Sequence, residues 1–293
     1  MPLKDWFAAL IVIAAWGINF VVIKVALFEI PPLLLGAVRF TLVAFPAIFF
    51  IKRPAVSLRS LMEYALIISF AQFIFLFTAI YIGMPAGLAS LVLQSQAFFT
   101  VLIAAWFLHE GVRRHNVVGI AVAVLGLVLI GWGARPGSVS VLGFTFTICA
   151  AICWAIGNIV VKGFGDIDML ALVVWGALIP PIPFFVLSWF IEGPELIGHS
   201  LTHMTFLGFG ALIYLVLIAT IVGFVLWGRL LARHPASKVA PLSLLIPVIG
   251  LVSSALLLDE HMAPIQWIGG AIVMVGLAVN TFGTRRFLHL LHH

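Results

Sequence analysis

Few side chains in this sequence can do chemistry, and most of them interrupt long apolar runs. Lys24 and Arg39 are cations inside the first two runs. Asn19 follows Trp16 at a distance of three residues, and Asn158 follows Trp154 at a distance of four. Gln94 leads the polar group Gln94-Ser95-Gln96, with Gln72 upstream of it. A guanidinium keeps its charge when buried and presents a planar fork that matches a carboxylate. An ammonium on a four-carbon stem can reach out of an apolar layer or bind an anion within it. A carboxamide offers two donors and an acceptor, which suits the backbone groups of an amino acid. Arg39, Lys24, Asn19, Asn158 and Gln94 thus carry the groups needed to hold a small zwitterion, and Trp16 and Trp154 can wall or gate it. Each also has a structural reading: snorkelling for Lys24, anchoring for Arg39, interhelical hydrogen bonds for the amides and packing for the tryptophans.

Catalysis and metal binding find little support. Cys149 and Cys153 lie four apart in one apolar run and build neither a disulfide framework nor a ligand set. All nine histidines fall at or beyond the ends of apolar runs, and Glu63 is the only acid within one, at its edge. His199 and His203 have helical spacing, but a metal needs more ligands than a pair. There is no Ser/His/Asp set and no pair of acids at one depth. No enzyme, no cofactor and no metal site is expected.

The elements that must position these residues follow from composition. Of 293 residues, 64% are hydrophobic and 9% are charged, where a soluble domain has about 25% charged. Mean hydropathy is +1.27. Such a chain cannot cover a water-facing surface, so cytosolic, secreted and nucleic-acid-binding classes are excluded. Ten apolar runs, about 6–28, 33–51, 61–82, 86–108, 117–134, 141–162, 169–191, 205–230, 236–258 and 265–284, have the length of membrane spans. They are apolar on all faces and do not alternate, which favours helices over a β-barrel. The expected fold is an all-α membrane protein. Trp6, Trp106, Trp132, Trp189 and Trp267 sit near run ends, where interfacial anchors collect.

Charge placement sets the orientation. Counting loops alternately from an inside start, the inside holds Lys4, Lys52, Arg53, Arg59, Arg113, Arg114, Lys162, Arg229, Arg233, Lys238, Arg285 and Arg286, while the outside holds Arg135. This twelve-to-one bias puts both termini in the cytoplasm. The net charge of +5 is therefore a topology signal.

The two halves resemble each other. A shift of 150 carries Pro85-Ala86 onto Pro235-Ala236, Glu110 onto Glu260, Gly119 onto Gly269 and Gly126-Leu127 onto Gly276-Leu277. A shift of 138 carries Trp16 onto Trp154 and Lys24 onto Lys162. Each half holds five spans, an odd number, so the second half enters from the opposite side. The expected organisation is two inverted five-helix repeats, 6–134 and 141–284, followed by a cytoplasmic tail, 285–293. Such repeats are a common basis for carriers. Glu110 and Glu260 are expected to cap or hinge the turns after the fourth span of each half. Pro46, Pro180, Pro181, Pro183, Pro241 and Pro247 are expected to interrupt spans.

These features resemble one family. The tandem five-helix halves, Trp16-x-x-Asn19 and the pairs His109-Glu110 and Asp259-Glu260 are similar to the EamA branch of the drug/metabolite transporter superfamily. The segments Asn19–Lys24, Ile68–Phe73, Gly83–Gln94 and Val239–Leu245 resemble the bacterial O-acetylserine/cysteine exporters within it. The resemblance implies an inner-membrane exporter of cysteine-type amino acids, or of another small metabolite or drug, working by alternating access. Its partners would be a small-molecule substrate and the lipid bilayer, with no nucleic acid, and the chain is read as a monomer.

The orientation is testable. A reporter fused after Arg286 should be active in the cytoplasm, and one inserted between 192 and 204 should report the outside. Opposite signals from both fusions would overturn the assignment.

Overall fold

The computed structural model describes residues 1–133, 140–165 and 167–283. Arg135, Arg285, Arg286 and the expected tail 285–293 lie outside the described residues. Nine helices among those described are long and apolar enough to cross a membrane. They are α1 (Leu3–Ala26), α2 (Pro32–Phe49), α3 (Leu58–Tyr81), α4 (Ala86–Phe107), α5 (Arg114–Trp132), α6 (Val141–Lys162), α7 (Met169–Ile191), α8 (Phe206–Arg233) and α10 (Pro264–Phe282). The interval between α8 and α10 holds a shorter apolar helix, α9 (Pro241–Leu257). A proline opens several of these helices, where the missing N–H costs nothing. One break departs from expectation: the polar stretch 192–204 contains a short helix, Pro194–Thr202. Its His199 and His203 rings stack at 4.4 Å. His203 Nδ1 lies 2.9 Å from Thr202 Oγ1. The five tryptophans near span ends are all exposed.

Regular helix fails at matched places. Helix α3 carries a π-helical segment, Ala65–Ala71, and α8 carries another, Tyr214–Val222. Helix α4 breaks at Gln94-Ser95, and α9 opens with a 3₁₀ segment, Ala240–Leu244. Helix α2 loses its α-helical form after Ala44, just before Pro46, and α7 between Gly176 and Pro181. Thus the second, third and fourth helices of both halves are irregular. Backbone freed in this way must find partners inside the protein, because lipid supplies none.

Packing is reciprocal between the halves. Helix α1 packs on α8 and α9, while α6 packs on α3 and α4. Helices α5 and α10 cross with their backbones in direct contact. A Cβ on Gly126 would meet the Gly269 carbonyl at 2.6 Å, and a Cβ on Gly119 would meet the Gly276 carbonyl at 2.8 Å. The converse contacts, Gly269 to Gly126 and Gly276 to Gly119, are both 2.7 Å. The pair is therefore antiparallel. Small residues permit this approach, and the gain is dispersion between backbones. Asn116 Nδ2 donates to Asn280 Oδ1 at 2.7 Å beside the crossing.

Overpacking this crossing costs about 1–3 kcal/mol. Gly126→Leu should lower the thermal midpoint of the purified protein. Gly210→Leu, where nothing lies within 4 Å of a Cβ, should leave it unchanged. Equal midpoints for both variants would contradict the packing argument.

Candidate functional site

Arg39 lies on α2 and is 5% exposed. Three aromatic rings surround its guanidinium: Phe73 at 4.5 Å, Phe40 at 5.7 Å and Phe77 at 5.8 Å. Phe73 and Phe77 are four apart on α3, so one helix face supplies two walls. Nη2 donates to Thr220 Oγ1 at 3.3 Å. Nε and Nη1 are buried and have no hydrogen-bond acceptor. No carboxylate pairs with Arg39 among the described residues. Cation–π attraction offsets part of the burial cost of such a charge, about 2 kcal/mol or more per desolvated ring contact. It does not satisfy the two free donors.

Thr220 belongs to the π-helical segment of α8. Its hydroxyl donates to the Leu215 carbonyl at 2.8 Å, five residues back, so it is held by the irregular turn itself. The same segment receives Trp16: Nε1 donates to the Ala219 carbonyl at 2.8 Å. Trp16 also packs on Phe224 and Trp227, with ring centroids 5.6 and 5.4 Å away. Tyr214, which opens the segment, donates its hydroxyl to the Ala15 carbonyl at 2.9 Å. Helices α1 and α2 are thus both tied to one π segment of α8. Asn19 stands one turn from Trp16 on α1. Its Oδ1 is buried without a donor.

The remaining amides lie on α4 and α6. Gln94, in the break of α4, donates to the Ser243 carbonyl at 3.4 Å, so the irregular regions of α4 and α9 meet there. Asn158 Nδ2 donates to Gln96 Oε1 at 2.8 Å and to Thr100 Oγ1 at 3.1 Å. Its donors tie α6 to α4. Trp154 is half-buried and packs against the main apolar core.

Lys24 is held by the backbone of another helix. Nζ donates to the Ile80 carbonyl at the end of α3, 3.2 Å away, and lies over Phe28. The structure thus brings Arg39 and Trp16 onto one segment with Asn19 beside Trp16, groups Gln94 and Asn158 around α4, and gives Lys24 a backbone partner.

Sequence reasoning missed Thr220 and the phenylalanine cage. The cage had a signal, since Phe73 and Phe77 share a helix face. Thr220 had none beyond being a hydroxyl in an apolar run. It also missed Glu192 and Glu29 as caps of other helices, and missed the helix that Glu260 caps. Glu192 accepts Leu33 N–H at 2.7 Å and Leu34 N–H at 3.0 Å. Glu29 accepts Thr205 N–H at 2.8 Å and Thr205 Oγ1 at 2.6 Å. Glu260 accepts Ala86 N–H at 2.8 Å and Gly87 N–H at 3.1 Å. Anions at helix N-termini satisfy orphan donors and oppose the helix dipole. Glu260, expected to cap or hinge its own turn, instead caps α4 across the molecule, and Glu110 pairs with Lys162.

Comparison with known proteins agrees with this architecture. The EamA-like transporter family matches residues 4–132 and again 141–282. The chain is 51% identical over 290 residues to the "Probable amino-acid metabolite efflux pump" of Escherichia coli (strain K12), covering 97% of both chains. It is 49% identical to the protein of the same description in Salmonella typhimurium, again covering 97% of both. One crystal structure, 19% identical, superposes with a TM-score of 0.60 over 97% of this chain and 98% of that one. That likeness is one of fold. An all-helical, multi-span chain that matches the family model across both halves, with relatives near 50% identity along its length, belongs to the EamA-like transporter family.

Proposed function

We propose that this protein exports small amino acids of the cysteine and O-acetylserine type across the bacterial inner membrane. One observation carries this reading. Among the buried polar atoms left without partners, which also include Ser95 Oγ and Ser200 Oγ, two donors on Arg39 and one acceptor on Asn19 are complementary to a zwitterion. A substrate carboxylate would take Nε and Nη1 of Arg39, and an ammonium would take Oδ1 of Asn19. Lys24, Asn158 and Gln94 then act at the margins, and Trp16 and Trp154 wall the path. Export of amino-acid metabolites is what the names of the two closely similar relatives describe. The cysteine-type substrate rests on the sequence resemblance.

The transport cycle we propose is alternating access between two inverted repeats, 6–134 and 141–284, with ten spans and both termini in the cytoplasm. The antiparallel crossing of α5 and α10 supports it, because Gly119 meets Gly276 and Gly126 meets Gly269. Repeat-equivalent helices that cross antiparallel fit an axis lying in the membrane plane. The matched irregular helices support it as well. A second reading is an amino acid with a larger apolar side chain. The rings of Phe40, Phe73 and Phe77 favour that, and an efflux panel of cysteine, O-acetylserine and aromatic amino acids separates the two.

The charge on Arg39 is the test. Arg39→Leu should reach the membrane at normal abundance but lose export. The loss should be about tenfold or more, matching one charge-assisted bond of roughly 1.5–3 kcal/mol. Arg39→Lys keeps the charge, loses the fork and should retain part of the activity. The measurement is substrate efflux normalised to protein in the membrane. Unchanged normalised efflux in Arg39→Leu would sink the carboxylate role.

A further inference from the structure

The turns after α4 and α9 have the same backbone. His109 and Asp259 both adopt positive φ, 52° and 53°. Glu110 N–H reaches the Ala104 carbonyl at 3.4 Å, and Glu260 N–H reaches the Ser254 carbonyl at 3.4 Å. Both are left-handed helix terminations in which the second residue past the cap bonds back six positions. The helices that follow open alike too: Asn116 Oδ1 accepts Arg113 N–H, and Gln266 Oε1 accepts Ala263 N–H.

On this shared backbone the two carboxylates do opposite things. Glu260 caps the start of α4 through Ala86 and Gly87. The repeat carries those residues onto Ala236 and Ser237, where the helical segments Ala236–Val239, Ala240–Leu244 and Leu245–Leu257 begin. Glu110 instead forms an ion pair with Lys162. The repeat carries Lys162 onto Lys24, which is bonded to the Ile80 carbonyl. So in one half the acid holds a helix N-terminus and the lysine holds a carbonyl. In the other half the acid and lysine hold each other. Both members of that pair are about half exposed, so solvent can reach them when they part.

We propose that Glu260 and Glu110 are paired latches that engage in turn during transport. In this structure the Glu260 latch is closed on α4, at the outer end, and the Glu110 latch is held open by Lys162, at the inner end. When the halves exchange conformation, Glu110 caps the Ala236 and Ser237 N–H groups. Glu260 then leaves α4 and pairs with Lys24. Neither acid is left bare in either state, because each trades two backbone donors for an ammonium. This inference rests on the inverted-repeat exporter reading and adds gating residues to it.

The test reads distances without substrate, so its failure is separable from failure of the export reading. The full chain, with Cys149→Ala and Cys153→Ala, is purified into lipid nanodiscs. Spin labels are placed on Tyr81→Cys with His261→Cys for the outer end. Their repeat counterparts, Leu231→Cys with Gly111→Cys, report the inner end. Four variants that keep side-chain shape are compared: Glu260→Gln, Glu110→Gln, Lys162→Gln and Lys24→Gln. Glu260→Gln opens the outer latch, and Lys162→Gln frees Glu110 to close the inner one. Both should lengthen the outer distance and shorten the inner one, by the order of a helical turn, about 5 Å. Glu110→Gln and Lys24→Gln should do neither. Any other pattern, including no shift in any variant, overturns the proposal. Lys162→Gln supplies an independent route to the same shift if Glu260→Gln is poorly folded.

Discussion

A guanidinium in an apolar membrane layer is the constraint on which this structure depends. Arg39 keeps its proton when buried, so the surroundings must accommodate the charge. Placing arginine at the centre of a membrane helix costs about 2.5–3.5 kcal/mol on insertion scales. Here the answer is three aromatic faces and one hydroxyl, with no carboxylate among the described residues. That environment draws α2, α3 and α8 together around one side chain. It also leaves two donors over. A protein interior rarely tolerates such orphans unless something transient satisfies them. This is the ground for the proposed carboxylate role of Arg39.

The irregular helices explain how a site of this kind can be emptied as well as filled. A π segment lets Thr220 bond five residues back and face Arg39, and it exposes the Ala219 carbonyl to Trp16. In the proposed site a carboxylate at Arg39 would compete with Thr220, whose hydroxyl is bonded to the backbone of α8. The bond from Gln94 to the Ser243 carbonyl joins the breaks of α4 and α9, the helices whose ends carry the proposed latches. The glycine crossing of α5 and α10 is the contrasting element. An added Cβ there would meet the facing backbone at 2.6 to 2.8 Å, so these two helices touch backbone to backbone.

Much of this was legible in the sequence, for physical reasons. Apolar runs of about 20 residues leave little choice but helices, and the observed ends fall within a few residues of the expected ones. Arg39 and Asn19 stood out because polar groups in such runs are costly. Both proved to carry unsatisfied buried atoms. Partners were not legible. The bonds of Arg39 to Thr220, Trp16 to Ala219 and Glu260 to Ala86 join residues far apart in sequence, and spacing says nothing about them. Asn158 was equal in rank to Asn19 on the page, but its donors face Gln96 and Thr100 on α4. The π segments were also hidden, because they arise from packing and carry no proline or glycine mark of their own.

The central claim is that Arg39 recognises a carboxylate, and ligand chemistry tests it most directly. Purified protein would be titrated with cysteine, with cysteine methyl ester and with cysteamine, which lacks the carboxylate altogether. Binding would be followed by the rise in thermal midpoint. The account predicts a clear rise with cysteine and little or none with the ester or the amine. In Arg39→Leu all three ligands should behave alike. Equal stabilisation of the wild-type protein by cysteine and cysteamine would contradict it.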